Sequence, residues 1–355
     1  MATVKFINKP NLFFDSLKNK VENYFSTNKI SSKAGNQTLF TKSYILIAQL
    51  VILYFLILFL PVHWFWTMFL FGLQGITLAG IGFNMMHDGA HGSFSTRKWV
   101  NDVMAHSLDF IGGSTFMWKT KHNVIHHTYT NISGMDEDIS IPFMRTTVEQ
   151  EKKWYHRYQH IYSVALYCLQ YIFWVFFSDF KKYFTGKIGE IAYPKMKTKD
   201  HIIFWVAKAF SIGVFFVLPV VVLGPLLGIL GLFFMCLVVG LSISIIFQMA
   251  HMVEERQFPV PDPVTRKIEN EWAVHQIYTT ANFATKSKFI SYLVGGLNFQ
   301  VEHHLFPRIS HIHYPAINEL VKETCKEFNL SYGEFPSLLG AIKSHFRFLK
   351  QMGTA

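Results

Sequence analysis

The chain has 355 residues, of which 50% are hydrophobic and only 16% are charged. Soluble domains usually carry about 25% charged residues, so this composition argues against an ordinary soluble protein and indicates a membrane protein. The formal net charge of +10 suits nucleic acid, anionic lipid or an acidic protein as partner, and the long apolar stretches favour the last two over nucleic acid.

The cysteines and histidines limit the kinds of metal site that this chain can form. Its three cysteines stand far apart with no Cys-X-X-Cys pair, which argues against a disulfide framework or a thiolate metal site. The chain contains 17 histidines. If the protein binds a metal, we therefore expect imidazole to hold it.

The N-terminal segment, residues 1–43, does not resemble a secretory signal. It contains seven lysines and two acidic residues, with no sustained apolar core before the first uncharged run. We expect this segment to stay on the cytoplasmic side of the membrane.

Two long uncharged runs predict two transmembrane hairpins. Tyr44 to Met86 is 43 residues without Asp, Glu, Lys or Arg, and Pro61 to His63 interrupt it near the middle. The second run, Ala209 to Val253, has 45 residues with Gly224 near its middle. Because one span needs about 20 residues, each run predicts two helices joined by a turn. We place the hairpins at residues 44–86 and 202–253.

The positions of the cations predict the orientation. Of the 33 lysines and arginines, 32 lie in residues 1–43, 87–201 and 254–355. The exception is Lys208, which lies near a helix end where its side chain can extend to the interface. The positive-inside rule then places all three polar segments, and both termini, in the cytoplasm.

One further apolar segment allows two interpretations. Residues 161–177 are uncharged and rich in Tyr, Phe and Trp, with lysines and histidines on either side. We interpret the segment as an interfacial helix; the alternative is a fifth span. With no internal repeat and few period-two patterns, the sequence predicts an all-α integral membrane protein, 1–355, with four transmembrane helices and a cytoplasmic helical cap.

Three histidine clusters follow the predicted spans. In the first, His87 and His91 are four residues apart, which places both rings on one helix face; alone, such a pair is more typical of a polar helix end. The other two clusters each contain adjacent histidines, which point about 100° apart on an α-helix and can serve two metals. Their members are His122, His126 and His127 in the second cluster, and Gln300, Glu302, His303 and His304 in the third.

His251 ends the second uncharged run and lies at the same predicted depth as His87. The topology brings all eight of these histidines to one side of the membrane, where ionisable residues indicate a functional site. Eight imidazoles are too many for one zinc ion and suit two metal ions. A pair of redox-active irons can reduce O2 to an oxidant strong enough for an unactivated C–H bond.

The motifs HDGAH, HNVIHHTYTN and FQVEHHLFPR resemble the three histidine boxes of membrane fatty-acid desaturases. The third box begins with Gln300 where many desaturases have histidine, and so resembles front-end desaturases; the middle box is most similar to that of cyanobacterial Δ6 acyl-lipid enzymes. The resemblance implies two iron ions, with O2 as co-substrate. Its ligands would be His87, His91, His122, His126, His127, His251, His303 and His304, with Gln300 bound directly or through water.

The resemblance also implies partners. The substrate would be an acyl chain on a lipid or on coenzyme A. The sequence has no His-Pro-Gly-Gly haem motif, so we expect electrons from a separate donor, ferredoxin or cytochrome b5. In relatives with a histidine-led third box, an Asn that holds a water lies four residues before the position of His251. Here that residue is Phe247, which puts the water ligand in doubt.

Several polar residues near the boxes are candidates for orienting the ligand rings. They are Asp88, Asp136, Asp138, His275, Gln276, Thr279, Asn282 and Glu302, of which Glu302 lies inside its box. Two other functions stay open on the residues alone. One is hydroxylation of a lipid, alkane or carotenoid, which uses the same boxes. The other is metal transport, which would need polar residues near the membrane midplane.

Overall fold

The computed structural model describes residues 4–7, 11–33 and 37–355. Residues 1–3, 8–10 and 34–36 of the predicted N-terminal segment lie outside the described residues. The chain divides into two compact units. Unit 1 is Met1–Ala34, Lys121–Ser163 and Ile246–Ala355, and unit 2 is Gly35–Thr120 and Val164–Ile245. No linker in the sequence marks this division, because each unit is built from segments that are far apart along the chain.

The described residues are mostly helical, as predicted. In chain order the α-helices are α1 Leu12–Asn28, α2 Gln37–Phe59, α3 Trp64–Ile81, α4 His87–His91, α5 Lys98–Phe110, α6 Thr115–Lys119, α7 His127–Tyr129, α8 Gln159–Phe173, α9 Asp179–Thr185, α10 Thr198–Ile212, α11 Leu218–Leu223, α12 Pro225–His251, α13 Trp272–Thr279, α14 Lys288–Leu293, α15 Gln300–Leu305, α16 Tyr314–Glu327 and α17 Leu338–Thr354. Short 3-10 helices occupy Glu137–Ile139, Trp154–Tyr158 and His311–His313.

Wider π-helical turns interrupt four of the longer helices. They occupy Gly82–Met86, Thr120–His126, Trp174–Ser178 and Gly213–Val217. The first ends directly before His87, and the second contains His122 and His126. Single π turns inside helices are rare and occur often at functional sites.

Three small sheets accompany the helices in the described part of the chain. Parallel strands pair Lys5–Phe6 (β1) with Lys267–Ile268 (β4) and Asn282–Phe283 (β5) with Glu334–Phe335 (β6). Lys187–Ile188 (β2) and Ile191–Ala192 (β3) are antiparallel. Strands of two residues are too short to leave an alternating pattern in the sequence.

Within the described residues, five helical stretches, rather than the predicted four, have the length and composition to cross a membrane. They are Gln37–Phe59, Trp64–His91, Trp154–Thr185, Thr198–Leu223 and Pro225–His251. The predicted number of four is therefore not confirmed. The additional stretch, Trp154–Thr185, contains the segment 161–177. Its helix continues past Lys181 and Lys182, which we predicted to flank the helix rather than to belong to it.

Both long apolar runs are interrupted where the sequence predicts a turn. The first lies between α2 and α3, where the His63 ring accepts a hydrogen bond from the Phe65 N–H at 3.4 Å and caps α3. The second is Gly224, whose φ of 82° no α-helix accommodates. Pro225 then begins α12, where its missing N–H has no cost.

In unit 2, Lys208 does not extend to the interface as predicted. Its side chain is 2% exposed. Its ammonium group donates to the Gly112 and Val175 carbonyl oxygens at 2.6 and 2.9 Å and to the Asp179 carboxylate at 2.9 Å. A buried ammonium group needs hydrogen-bond acceptors. The sequence does not reveal these three acceptors, because they come from segments that are far from Lys208 along the chain.

In unit 1, a hydrophobic core joins α1, α13, α15 and α16. Its buried members are Phe13, Leu17, Val21, Ala273, Ile277, Phe299, Val301, Leu305, Tyr314, Ile317, Val321 and Cys325. Because α15 carries the third histidine box, this core holds the box in place.

Candidate metal centre

In unit 2, the first histidine box forms a buried pair of rings. His87 and His91 lie one turn apart on α4, with ring centroids 4.8 Å apart. The Trp118 ring meets both at steep angles, with centroids 5.7 Å from His87 and 6.0 Å from His91. The pair is therefore held against an aromatic wall rather than displayed at a solvated helix end.

In unit 1, the second box lies on a π turn rather than on the α-helix that its spacing suggested. His122 and His127 are five residues apart, which is the hydrogen-bonding interval of a π-helix. Their Nε2 atoms are 3.3 Å apart, and the His122 and His126 ring centroids are 5.2 Å apart. The wider turn thus places all three rings close together, whereas an α-helix would point His127 away from His126.

Three rings from three distant segments of unit 1 meet at one point. His126 lies at the end of the π turn, His251 at the end of α12, and His304 on α15. One ligand nitrogen from each lies within 4.8 Å of the other two. The three ring centroids are 4.8 to 4.9 Å apart pairwise. This arrangement offers three imidazole nitrogen donors to a single ion.

The second nitrogen of each ring in this trio is already engaged. Nδ1 of His126 lies 3.0 Å from the Asp136 carboxylate, and Nδ1 of His251 lies 3.3 Å from the main-chain oxygen of Thr279. Nδ1 of His304 lies 2.8 Å from the side-chain oxygen of Gln276. Such bonds fix the ring and its tautomer and leave Nε2 as the ligand atom.

The ligand atoms themselves match a metal site. Among the described residues, Nε2 of His126 and Nε2 of His251 are buried and have no hydrogen-bond partner. A buried nitrogen acceptor without a partner is costly, and a metal ion would satisfy it. Imidazole donors suit iron, copper, zinc or nickel, so the residues present fit a transition-metal ion.

His127 and His303 form a second group beside the trio. Their ring centroids are 4.6 Å apart, and His303 also lies 5.8 Å from His122. Nδ1 of His303 lies 3.2 Å from the Tyr314 hydroxyl. Gln300 begins α15 and is buried, and its side-chain nitrogen has no hydrogen-bond partner within the described part of the chain.

The electrostatics of the second box depend on two aspartates. Burial alone would lower the pKa of His126, but the charge and hydrogen bond of Asp136, with the charge of Asp138, outweigh burial and raise it. Asp138 also pairs with Lys121. The carboxylate partner therefore makes the His126 ring more basic. A more basic ring is a stronger metal ligand.

Glu302 lies beside the ligands with its side chain turned to other polar groups. Its carboxylate accepts hydrogen bonds from Asn282 at 2.6 Å, from Asn318 at 3.0 Å and from the Tyr332 hydroxyl at 3.1 Å. Burial raises the pKa of Glu302, and these donors oppose the rise. The carboxylate thus ties α15 to α16 and β5.

Phe247 and His275 are two further residues near the boxes that the sequence singled out. Phe247 stands four residues before His251; its ring lies 5.8 Å from the His122 ring and lines a small cavity beside His126 and His251. His275 is fully buried with its ring 5.1 Å from Phe6. Burial lowers the pKa of His275 to about 4, which favours a neutral packed ring.

Sequence reasoning missed several residues that contact the boxes. Trp272 donates to the His127 main-chain oxygen at 2.9 Å, and Tyr314 meets His303. Asn131 donates to main-chain oxygens of three segments. The available signal for Asn131 was the polar run that directly follows the second box; nothing in the sequence marks the other two.

Comparison with known proteins agrees with this geometry. The profile of the fatty acid desaturase family matches residues 62–336, which include all three boxes. An acyl-lipid (8-3)-desaturase from Physcomitrium patens is 36% identical over 99% of this chain and 74% of its own length. An sn-1 linoleoyl-lipid 6-desaturase from Arthrospira platensis is 35% identical over 96% of this chain and 92% of its own.

A second cyanobacterial protein extends the match to full length. The sn-1 linoleoyl-lipid 6-desaturase of Synechocystis is 34% identical over 99% of this chain and 98% of its own length. The family match covers all three histidine boxes, and each of these relatives is at least 34% identical over at least 96% of this chain. The chain belongs to the fatty acid desaturase family.

Proposed function

We propose that this desaturase inserts a cis double bond between an existing double bond and the carboxyl end of an acyl chain, with Δ6-like selectivity. The support is twofold. The Arthrospira and Synechocystis relatives are named linoleoyl-lipid 6-desaturases, and the Physcomitrium relative is named an (8-3)-desaturase. The third box of this chain begins with Gln300, the feature in which it resembles front-end enzymes. Because these relatives are named for lipid substrates, an acyl lipid is preferred over acyl coenzyme A.

We infer that the histidine clusters hold two iron ions. When bound, a pair of irons supplies the capacity to activate O2 and to remove two hydrogens from an unactivated chain. The observation that carries this inference is the trio of His126, His251 and His304. The complete proposed ligand set is His87, His91, His122, His126, His127, His251, Gln300, His303 and His304.

The protein's own residues provide burial and orientation. All eight histidines are buried, so their rings are shielded from water. The partners of Nδ1 hold the trio's rings in place before any ion binds, which reduces the reorganisation that binding requires. Phe247 adds an apolar wall to the cavity beside His126 and His251.

The reaction also needs two electrons from outside the chain. We propose a separate donor, ferredoxin or cytochrome b5. The net charge of +10 supports an acidic donor, because complementary charge speeds encounter.

We further propose that the site and both termini face the cytoplasm, with four helices crossing as two hairpins. The support is the charge pattern, since 32 of the 33 cations lie outside the two hairpins. In this arrangement Trp154–Thr185 lies along the interface.

Product analysis tests the function directly. The chain would be expressed in a host that lacks polyunsaturated lipids and is supplied with linoleate, and fatty acids would be identified by gas chromatography–mass spectrometry. We expect a new cis double bond on the carboxyl side of the existing one. A hydroxylated product, or a bond on the methyl side, would contradict the proposal.

The ligand set is tested by His303→Ala. We expect this variant to reach the membrane normally, to lose most of its bound iron and to form no product, because one ring of the buried group is gone. The matched control is His201→Ala, which removes a histidine outside the boxes. Retained activity in His303→Ala would refute the ligand assignment.

A further inference from the structure

The turn that follows the second histidine box is buried and adopts an unusual backbone. Asn131 and Asp136 are 0% and 2% exposed. Asn131 has a φ of 58°, in the left-handed region that Asn and Gly adopt more easily than other residues. A polar residue placed in such a conformation in the interior needs a compensating set of contacts.

The Asn131 side chain supplies those contacts by capping two helices. Its Nδ2 atom lies 3.1 Å from the main-chain oxygen of His251 and 3.1 Å from that of Thr279. These are the last residues of α12 and α13, whose final carbonyl groups have no partner within their own helix. One amide group therefore fixes the ends of two helices, and a third acceptor, the Gln257 oxygen, lies at the same distance.

One of the capped carbonyl groups also orients a candidate ligand. The Thr279 oxygen lies 3.3 Å from Nδ1 of His251. Asn131 thus holds the His251 backbone directly and holds its ring through Thr279. Both contacts act on the same imidazole.

Asp136 connects this turn to the second ligand. One carboxylate oxygen lies 3.0 Å from Nδ1 of His126 and also accepts the Asn131 main-chain N–H at 3.0 Å. The other oxygen accepts the Asp138 N–H at 2.9 Å. The carboxylate is therefore fixed by two backbone groups while it orients the His126 ring.

We propose that residues 131–136 form a bracket that sets the position of His126 and His251 relative to each other, with Asn131 and Asp136 as its positioning residues. The inference rests on the proposed function and deepens it, because the two rings belong to the trio that would hold one of the two irons. Neither residue is a ligand. The bracket acts by fixing the angle and distance at which two Nε2 atoms approach one ion.

The test is Asn131→Gly, which keeps the left-handed conformation but removes the amide. Partners of metal ligands typically contribute about 10-fold to 100-fold in metal affinity. We expect at least about a 10-fold loss of affinity at one iron only, measured by chelator competition on the purified full chain. Mössbauer spectra of protein loaded with 57Fe should show one of two iron signals altered and the other unchanged.

The matched control is Asn329→Gly. Asn329 has a φ of 53° and is exposed on the turn after α16, so it undergoes the same substitution in the same conformation away from the bracket. We expect this variant to bind both irons like the unsubstituted protein. If Asn131→Gly fails to accumulate in membranes, Asp136→Asn is tested instead. We expect the same loss of affinity at one iron, because the amide nitrogen of the new side chain would face the Nδ1 donor of the His126 ring.

Three outcomes overturn the inference. One is unchanged affinity and spectrum in Asn131→Gly or its replacement, and another is equal loss of both irons, which indicates general unfolding. The third is unsubstituted protein that binds no iron, which overturns the proposed function as well. The first two leave the proposed function standing.

Discussion

At the scale of single residues, hydrogen bonding around Glu302 shows how the third box is held. Asn282, Asn318 and Tyr332 each present a donor to its carboxylate oxygens. These three donors tie α15 to β5, α16 and Tyr332.

We expect Glu302→Gln to weaken iron binding by about 10-fold. Glutamine keeps the size of the side chain but places an NH2 group against another donor, which costs about 1–3 kcal/mol in a buried position. The measurement is iron per purified chain across a chelator series. Glu319→Gln, an exposed site on α16, is the control. Full iron content and normal turnover in Glu302→Gln would remove this role.

Some partners of the ligand rings could be predicted from their polar character and their position near the boxes. The sequence proposed Gln276, Thr279 and Asp136 as partners of ligand rings, and the structure places all three against Nδ1 atoms. The sequence did not predict the role of Asn131, because its side chain bonds to carbonyl groups from segments that are far away along the chain. The His275 ring, which the sequence proposed for the same role, packs against Phe6, and that role stays a prediction.

At the scale of elements, α4 packs so closely on α5 that its central residue must be glycine. A Cβ atom on Gly89 would lie 2.6 Å from the Met104 Cβ and 2.6 Å from the Ala105 nitrogen. His87 and His91 lie on either side of Gly89. The position of the first box therefore depends on the absence of a side chain.

We expect Gly89→Ala to displace α4 and to lower bound iron strongly, with a loss of stability of about 1–3 kcal/mol from overpacking. The measurements are iron content and thermal unfolding in detergent. Gly82→Ala is a matched control, because a Cβ there meets nothing within 4 Å and alanine favours a helix. Unchanged iron content in Gly89→Ala would show that α5 can accommodate the added methyl group without displacing His87 and His91.

The elements divide into those that the sequence could and could not predict. Uncharged runs and their turns at Pro61 and Gly224 were visible, because the membrane imposes a composition over about 20 residues. The π turns were not, since neither residue type nor spacing in these segments distinguishes a π turn from an α-helix. The π turn at Thr120–His126 is what brings His127 beside His122.

At the scale of the whole molecule, the stretch Trp154–Thr185 decides the topology. If it lies along the interface, the segments before and after it share one side of the membrane. If it crosses, they lie on opposite sides. Its length and composition allow a crossing, whereas the positive-inside rule applied to its lysine-rich flanks favours a shared side.

Cysteine labelling separates these cases. We expect Glu151→Cys and Lys195→Cys, two exposed positions on either side of the stretch, to react with a membrane-impermeant maleimide from the cytoplasmic side of sealed vesicles. The unsubstituted chain gives the background from its own three cysteines. Labelling of the two positions from opposite sides would establish a fifth crossing and contradict the proposed topology.

The trio of His126, His251 and His304 also constrains how the protein matures. These rings come from segments synthesised at well separated times, and the His304 segment is synthesised last of the three. An ion that needs all three rings can be captured only after residue 304 has been synthesised. Iron loading would then be a late step in biogenesis, and the quality control of the nascent chain must act on an apoprotein.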